Sequence, residues 1–373
     1  MKNPSFIILS ALILCPLYGE PLHSPTWGFS IDLPEGYQYT DGDKANRFSF
    51  EGPLGNKFDI TVYHDAHQTM KELVENVNLR LKNKGDTIFF EYRDKLAALI
   101  ELTFDDYAGW GLCVELEKSR AGQNAPLLLA VAYGKAAQKD ANLYHLSALD
   151  SITPSRAEQH YPGPVTEFGY PRGEYVKIRI ANTSLEAWIR ENDAEAAQAL
   201  VDREFALLRR YLLLDKWQEA WIRFYRAIYR DSWDRLIHTA FQLERHWQQA
   251  APDLKLDFAR AALAFVQGFR YERDLQGSDF VNLVTAAREG RGDCDSRAML
   301  WAIILTQANI PAAMMVSRKH SHAMGLADIE GPGARFEAGG KKWLVAETNA
   351  AVDIGLIAQN QSEIDAWLGV VFE

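Results

Sequence analysis

The chain has 373 residues, is 47% hydrophobic and 24% charged, and carries a formal net charge of −10. Its apolar content fills sizeable cores, and its length without low-complexity tracts fits two or three globular domains. The acidic balance excludes nucleic acid as a natural partner.

At the start, Lys2 precedes an apolar run from Phe6 to Leu14, followed by Pro16, Gly19 and Pro21. This reads as a signal peptide over residues 1–19. Two processing routes are open: cleavage after Gly19, or lipidation of Cys15, where a bulky Leu14 is atypical of lipoprotein signals. The run is too short to persist as a membrane-spanning helix, and no later segment reaches the roughly 20 apolar residues a span needs. Removing the leader deletes Lys2 and moves the charge from −10 to −11. The expected location is periplasmic or extracellular, with a membrane anchor through lipidated Cys15 as one branch. Only Cys113 and Cys294 then remain, which is no disulfide framework. Cys113, in the apolar stretch 110–116, reads as a buried core thiol.

Residues 20–155 are read as a small α/β domain. Short alternating or apolar runs at 27–33, 58–63, 96–104 and 127–133 predict strands. A helix is expected over 69–84, where Met70, Leu73, Val74, Val77 and Leu81 recur at helical spacing and Gly85 supplies the stop. A second short helix is expected at 142–149. The opening phrase 27–37, the helix and the closing phrase 147–152 resemble small domains of the PsbP/Mog1 type, which implies a binding or scaffold module without a catalytic group. Residues 156–175, rich in proline and glycine, predict a linker.

A short strand at 175–180 opens a helical segment, 176–250. Trp217, Trp221, Tyr225 and Ile228 fall three or four apart, as do Trp233, Ile237 and Phe241, describing two helices with aromatic core stripes. A saccharide- or peptide-binding groove is the alternative for so many aromatics. Arg209, Arg210, Arg223 and Arg226 are expected on the solvated faces of these helices.

The stretch 251–373 carries the chemistry. After a helix at 256–269, Gly290 and Gly292 turn the chain into an apolar helix that Cys294 opens. Free N–H groups and the helix dipole at that position favour a thiolate and predict a lowered thiol pKa. Three strands are expected at 312–317, 322–327 and 342–348. An antiparallel hairpin of the last two, centred on the glycine-rich loop between them, puts Asp328 beside Lys341 and His322 beside Glu347. An imidazole beside a carboxylate is what a general base needs to hold its tautomer.

Four phrases carry a resemblance: Val266-Gln-Gly-Phe-Arg-Tyr-Glu-Arg-Asp274, Gly292-Asp-Cys-Asp-Ser296, His322-Ala-Met-Gly-Leu326, and Glu347-Thr-Asn349 followed by Ile354-Gly355. In this order they resemble the transglutaminase-like superfamily, in a bacterial and archaeal branch whose third member is glutamate. The resemblance implies a papain-like fold with Cys294 as nucleophile, His322 as base and then acid, and Glu347 orienting His322. It further implies an oxyanion hole from the Cys294 backbone N–H and the Gln267 amide. A satisfied structural amide is the other reading of Gln267.

Asp293 and Asp295 are expected to cap and charge the helix start. His320, two residues from His322, is a rival base. Zinc on Cys294, His320, His322 and Glu347 lacks the paired short spacing of metal sites, so neither a metal nor another cofactor is expected. The fold class is thus α+β: a sheet domain, a helical middle segment and a C-terminal papain-like domain. The expected function is an exported cysteine peptidase or amidase acting on a protein or peptide, cell-envelope peptide included, through a thioester. The alternative is a non-catalytic peptide- or glycan-binding envelope protein.

Overall fold

The structure is a computed structural model that describes residues 21–43, 45–64, 69–117, 124–248, 255–273 and 278–372. The expected leader and Cys15 lie outside the described residues. Helices and sheets are mixed, as expected for an α+β chain, and no described helix is long and apolar enough to cross a membrane.

A short pair, β1 (Leu22–His23) with β2 (Ser30–Ile31), precedes the first large sheet. β2 is all that forms of the strand expected at 27–33, because Gly28 turns the chain at a φ of 77°. Phe29 and Ile31 still point into the core. Seven strands follow: β3 (Gln38–Gly42), β4 (Arg47–Glu51), β5 (Lys57–Tyr63), β6 (Thr87–Tyr92), β7 (Lys95–Phe104), β8 (Tyr107–Glu115) and β9 (Leu127–Lys135). They pair antiparallel in the order β3-β4-β5-β9-β8-β7-β6.

The alternation of strand side chains gives this sheet two apolar faces. Ala98, Ile100, Leu102 and Cys113 pack under α1 (Met70–Leu81), while Phe58, Ile60 and Val62 pack with α2 (Ala141–Asp150). Cys113 is a free, fully buried thiol. A reciprocal Thr69–Glu72 capping box starts α1. It ends at Lys82, held at a φ of 52°, three residues before the expected stop at Gly85.

The stretch expected as a linker is packed into the molecule. It holds α3 (Pro164–Gly169), Glu158 pairs with Lys95 at 2.9 Å, and Tyr92 Oη donates to the Pro162 carbonyl at 2.8 Å. A hairpin of β10 (Tyr175–Arg179) and β11 (Glu186–Arg190) then leads into α4 (Asp193–Leu208), α5 (Trp217–Arg235), α6 (Ile237–Gln248) and α7 (Lys255–Gln267).

Helix α5 is the spine. Toward the first sheet, Arg223 pairs with Glu204 at 2.9 Å and Glu35 at 3.6 Å, and Arg226 forks onto Asp32 at 2.9 and 3.0 Å. Arg230 donates to the carbonyls of Asp150, Ser151, Ile152 and Tyr161. Arg209 and Arg210 are solvated as expected. Arg223 is not, being 3% exposed, and Arg226 is half-buried, because the buried Glu35 and Glu204 and the half-buried Asp32 wait on the facing elements. The second aromatic stripe also fails as a core stripe: Ile237 and Phe241 are 41% and 50% exposed. The chain breaks at Leu236 between α5 and α6, so the spacing loses phase and Thr239, Ala240 and Leu243 are buried instead.

Beyond α7, β12 (Arg270–Tyr271) pairs in parallel with β13 (Arg291–Gly292), bracketing α8 (Leu283–Glu289), and α9 (Cys294–Gln307) follows. Gly290 takes a φ of 64° at the end of α8, the sharp turn the glycine was expected to supply. The second sheet has the antiparallel order β16-β17-β15-β14-β18, from β14 (Ala312–Ser317), β15 (His322–Ala327), β16 (Arg335–Ala338), β17 (Lys341–Ala346) and β18 (Leu368–Val370). Helix α9 lies across it, with the ring of Trp301 so close to Gly325 that a Cβ there would stand 2.4 Å away. One continuous hydrophobic core joins α4 through α9 to this sheet.

Two details of the expected hairpin are corrected. The glycine-rich loop contains β16, which pairs with the outer side of β17. The observed partners of β15 and β17, Gly325 with Ala346 and Ala327 with Leu344, are two residues out of the expected register. Because strand side chains repeat every two residues, that slip changes the partner but keeps the face.

Candidate active site

Cys294 is the first residue of α9, capped by Asp293, whose carboxylate accepts the Ser296 backbone N–H at 2.8 Å. The helix start is held from outside as well. The Val281 N–H donates to Ser296 Oγ at 3.0 Å, and the buried Arg297 guanidinium donates to the carbonyls of Gly292 and Phe269 at 3.2 and 2.6 Å. Sequence residues distant from one another thus converge on the loop that delivers the cysteine.

His322, the first residue of β15, brings Nε2 to 2.7 Å from Glu347 Oε2, just past the end of β17. The extended register puts Glu347 opposite Met324, so the two side chains meet diagonally on one face. The other Glu347 oxygen accepts the Asn349 N–H at 2.6 Å. Burial raises the Glu347 carboxyl, but the His322 hydrogen bond and charge and the N–H groups of Asn349 and Ala350 outweigh it and hold it below its usual value. An ionised carboxylate can only accept, so Nε2 carries the proton and Nδ1 is the nitrogen with a free lone pair. The backbone N–H of Ala323, the next residue along β15, interacts with Cys294 Sγ, which brings the thiol to the end of the strand that carries the imidazole.

The thiol itself departs from expectation. Burial first, then the carboxylates of Asp295 and Asp293, push the Cys294 pKa well above its ordinary value, outweighing the Ala323 N–H that favours the thiolate. A helix dipole contributes about 0.3–1 kcal/mol, whereas burial of a thiolate shifts its pKa by up to about 3–5 units, so desolvation wins. Cys294 is 7% exposed.

Asp295 is not a second cap. Its Oδ2 accepts the Tyr225 hydroxyl at 2.5 Å and its Oδ1 accepts the Cys294 thiol at 3.3 Å. Tyr225, fully buried on α5, was legible only as part of an aromatic stripe; the signal that could have singled it out is a phenol in a core stripe, whose hydroxyl must find a partner. Two further aromatics flank the site. The Trp367 ring meets His322 edge-on with centroids 6.2 Å apart, and Tyr271 is close enough to Cys294 to feel its charge.

Gln267 donates both amide hydrogens to backbone carbonyls, those of Glu347 at 2.8 Å and Val352 at 2.9 Å. The donor that an oxyanion role requires is therefore engaged, and the side chain acts as a clamp on the loop after β17. His320, the rival base, stacks flat on Trp367 with centroids 5.5 Å apart, while Glu347 takes His322. No group of three or more His, Cys, Asp and Glu side chains among the described residues converges as a metal site.

No family model and no curated protein matches this chain. Among solved structures, it is similar to a Bacteroides thetaiotaomicron crystal structure at 10% identity and a TM-score of 0.23, covering 85% of this chain and 88% of that one. It is also similar to a Parabacteroides distasonis crystal structure described as a "putative protease", at 9% identity and a TM-score of 0.23, covering 81% of this chain and 65% of that one.

Proposed function

We propose that the chain is an exported cysteine hydrolase of the transglutaminase-like type, a peptidase or amidase acting on a protein or peptide. The observation that carries this reading is the 2.7 Å His322–Glu347 pair on the same strand end that meets the thiol of Cys294 at a helix start. The four sequence phrases supply the family, and the leader-like residues 1–19 supply the location.

In this reading the amide carbonyl carbon lies against Cys294 Sγ. His322 Nδ1 takes the thiol proton as the S–C bond forms, and the resulting imidazolium is stabilised by Glu347. The carbonyl oxygen, now negative, is met by the free N–H groups of the first turn of α9. His322 returns its proton to the leaving nitrogen as the C–N bond breaks, leaving a thioester. Water, deprotonated by His322, then displaces the sulfur, and the imidazolium returns that proton to the Cys294 sulfur as the acid is released. Nothing in the site selects an amine over water, which favours hydrolysis.

The alternative is a binding protein that keeps the arrangement without turnover, and the elevated thiol pKa is the observation on its side. Incubating the full chain and Cys294→Ala with an amine-blocked peptide library separates the two. New amine termini or glutamine deamidation from the wild type alone support the hydrolase. Identical peptide profiles from both proteins overturn it.

A further inference from the structure

The thiol of Cys294 has two neighbours with opposite demands. In the proposed mechanism His322, whose strand neighbour Ala323 meets the sulfur with its N–H, removes the thiol proton, whereas Asp295 accepts that same S–H at 3.3 Å. Asp295 is adjacent in sequence, but what fixes its carboxylate comes from another part of the chain: the Tyr225 hydroxyl of α5, 2.5 Å from the second oxygen. Tyr225 is in turn locked by packing, with ring centroids 6.1 Å from Trp221, 5.2 Å from Phe224 and 6.5 Å from Phe280. Two hydrogen-bond donors on two oxygens of one carboxylate give the thiol a defined direction.

We propose that Tyr225 and Asp295 are a positioning pair that keeps Cys294 as a neutral, aimed thiol between turnovers, so that the thiolate arises only when His322 takes the proton during attack. The last clause rests on the role proposed for His322; the resting state of the thiol does not. The groups around Asp295 and the thiol are Tyr225 from α5, Asp293 and Arg297 from the start of α9, Asp279 from the loop before α8, Tyr271 from β12, Arg273 just after it, and His322 from β15. The guanidinium groups of Arg273 and Arg297 also interact with the sulfur's charge, but burial and the two adjacent acidic side chains outweigh them and disfavour a negative charge there. A neutral thiol is also slow toward oxidants, which act on the thiolate.

The test is the pH dependence of iodoacetamide modification of the full chain, with the label located at Cys294 by peptide mapping. Asp295→Asn removes the charge and keeps an acceptor, and should lower the midpoint of the profile by about 1–3 units. Tyr225→Phe removes the hydrogen bond that favours the ionised carboxylate, so Asp295 holds a proton more readily and the midpoint should move the same way by less. In the Asp295→Asn background, Tyr225→Phe should add nothing. Peroxide oxidation of Cys294 at neutral pH should accelerate in both single variants.

An unchanged midpoint in Asp295→Asn, or in Tyr225→Phe should the first variant not fold, overturns the pair. So does a further shift from Tyr225→Phe in the double variant. Alkylation reads the resting thiol whether or not the chain turns over an amide, so failure here leaves the hydrolase reading standing. Acyl transfer that survives His322→Ala overturns that reading instead.

Discussion

His322 and Glu347 meet at 2.7 Å although neither stands directly opposite the other in the sheet. The diagonal contact works because both side chains occupy the same face at the ends of neighbouring strands. Glu347→Gln keeps the shape and removes the charge, so it should reduce acyl transfer by about a thousandfold or more while leaving the fold intact. The carboxyl is held below its usual value in the folded chain. A depressed acid contributes stability that is present above its unfolded pKa and lost as pH falls through its folded value. Wild type should therefore lose more stability than Glu347→Gln on acidification below about pH 4.5, the ordinary glutamate value, as read by thermal melts.

Gln267 serves the same loop from below. Its two hydrogen bonds fix the backbone at Glu347 and Val352, so Gln267→Ala leaves two carbonyls without their donor. The cost should be about 1–3 kcal/mol in denaturant unfolding. Gln267→Glu, which cannot donate when ionised, should cost at least as much. A variant that loses acyl transfer at unchanged stability would point back to an oxyanion role.

The legible part of the site was what local rules determine. A cysteine behind Gly-Asp at a helix start, its aspartate cap, and an imidazole and carboxylate on neighbouring strands all follow from short-range pattern. The two-residue register slip was not legible, because β16 is too short to announce itself and it changes where the loop turns. It did no harm, since a slip of two preserves the face. Arg223 looked like a surface charge because nothing in α5 shows that Glu35 and Glu204 are waiting across the interface. Tyr225 looked like core for the same reason: its partner, Asp295, lies 70 residues away. The lowered thiol pKa expected from the helix dipole failed because burial and two neighbouring carboxylates are larger effects than the dipole.

That interface has its own pH signature. Burial pushes the Glu35 carboxyl up to about 7, against the attraction of Arg223. A raised folded pKa means that the native state binds the extra proton, so this group's contribution is full below its unfolded pKa near 4.5 and is lost as pH rises through about 7. Other buried groups titrate in the same range, Glu167 with the same sign and His145 with the opposite one. The difference between wild type and Glu35→Gln isolates the one residue. It should change in favour of the variant as pH rises from about 4.5 to about 7, measured as melting temperature against pH.

Gly325 sits in the phrase that carries His322 because Trp301 leaves no room for a side chain. A Cβ there would stand 2.4 Å from the indole, which is fully buried and anchored to the Ala259 carbonyl at 3.1 Å. Gly325→Ala should cost about 1–3 kcal/mol through overpacking and shift the fluorescence of Trp301.

The central claim is that Cys294 forms an acyl thioester with His322 as its base. Mixing the full chain with p-nitrophenyl acetate and following intact mass, with peptide mapping of the adduct, tests this without knowledge of the natural substrate. One hydroxylamine-labile acetyl group is expected on Cys294, formed about a hundredfold or more slowly in His322→Ala and absent from Cys294→Ala. An acetyl group elsewhere, or one that forms on Cys294 at the same rate without His322, would contradict it.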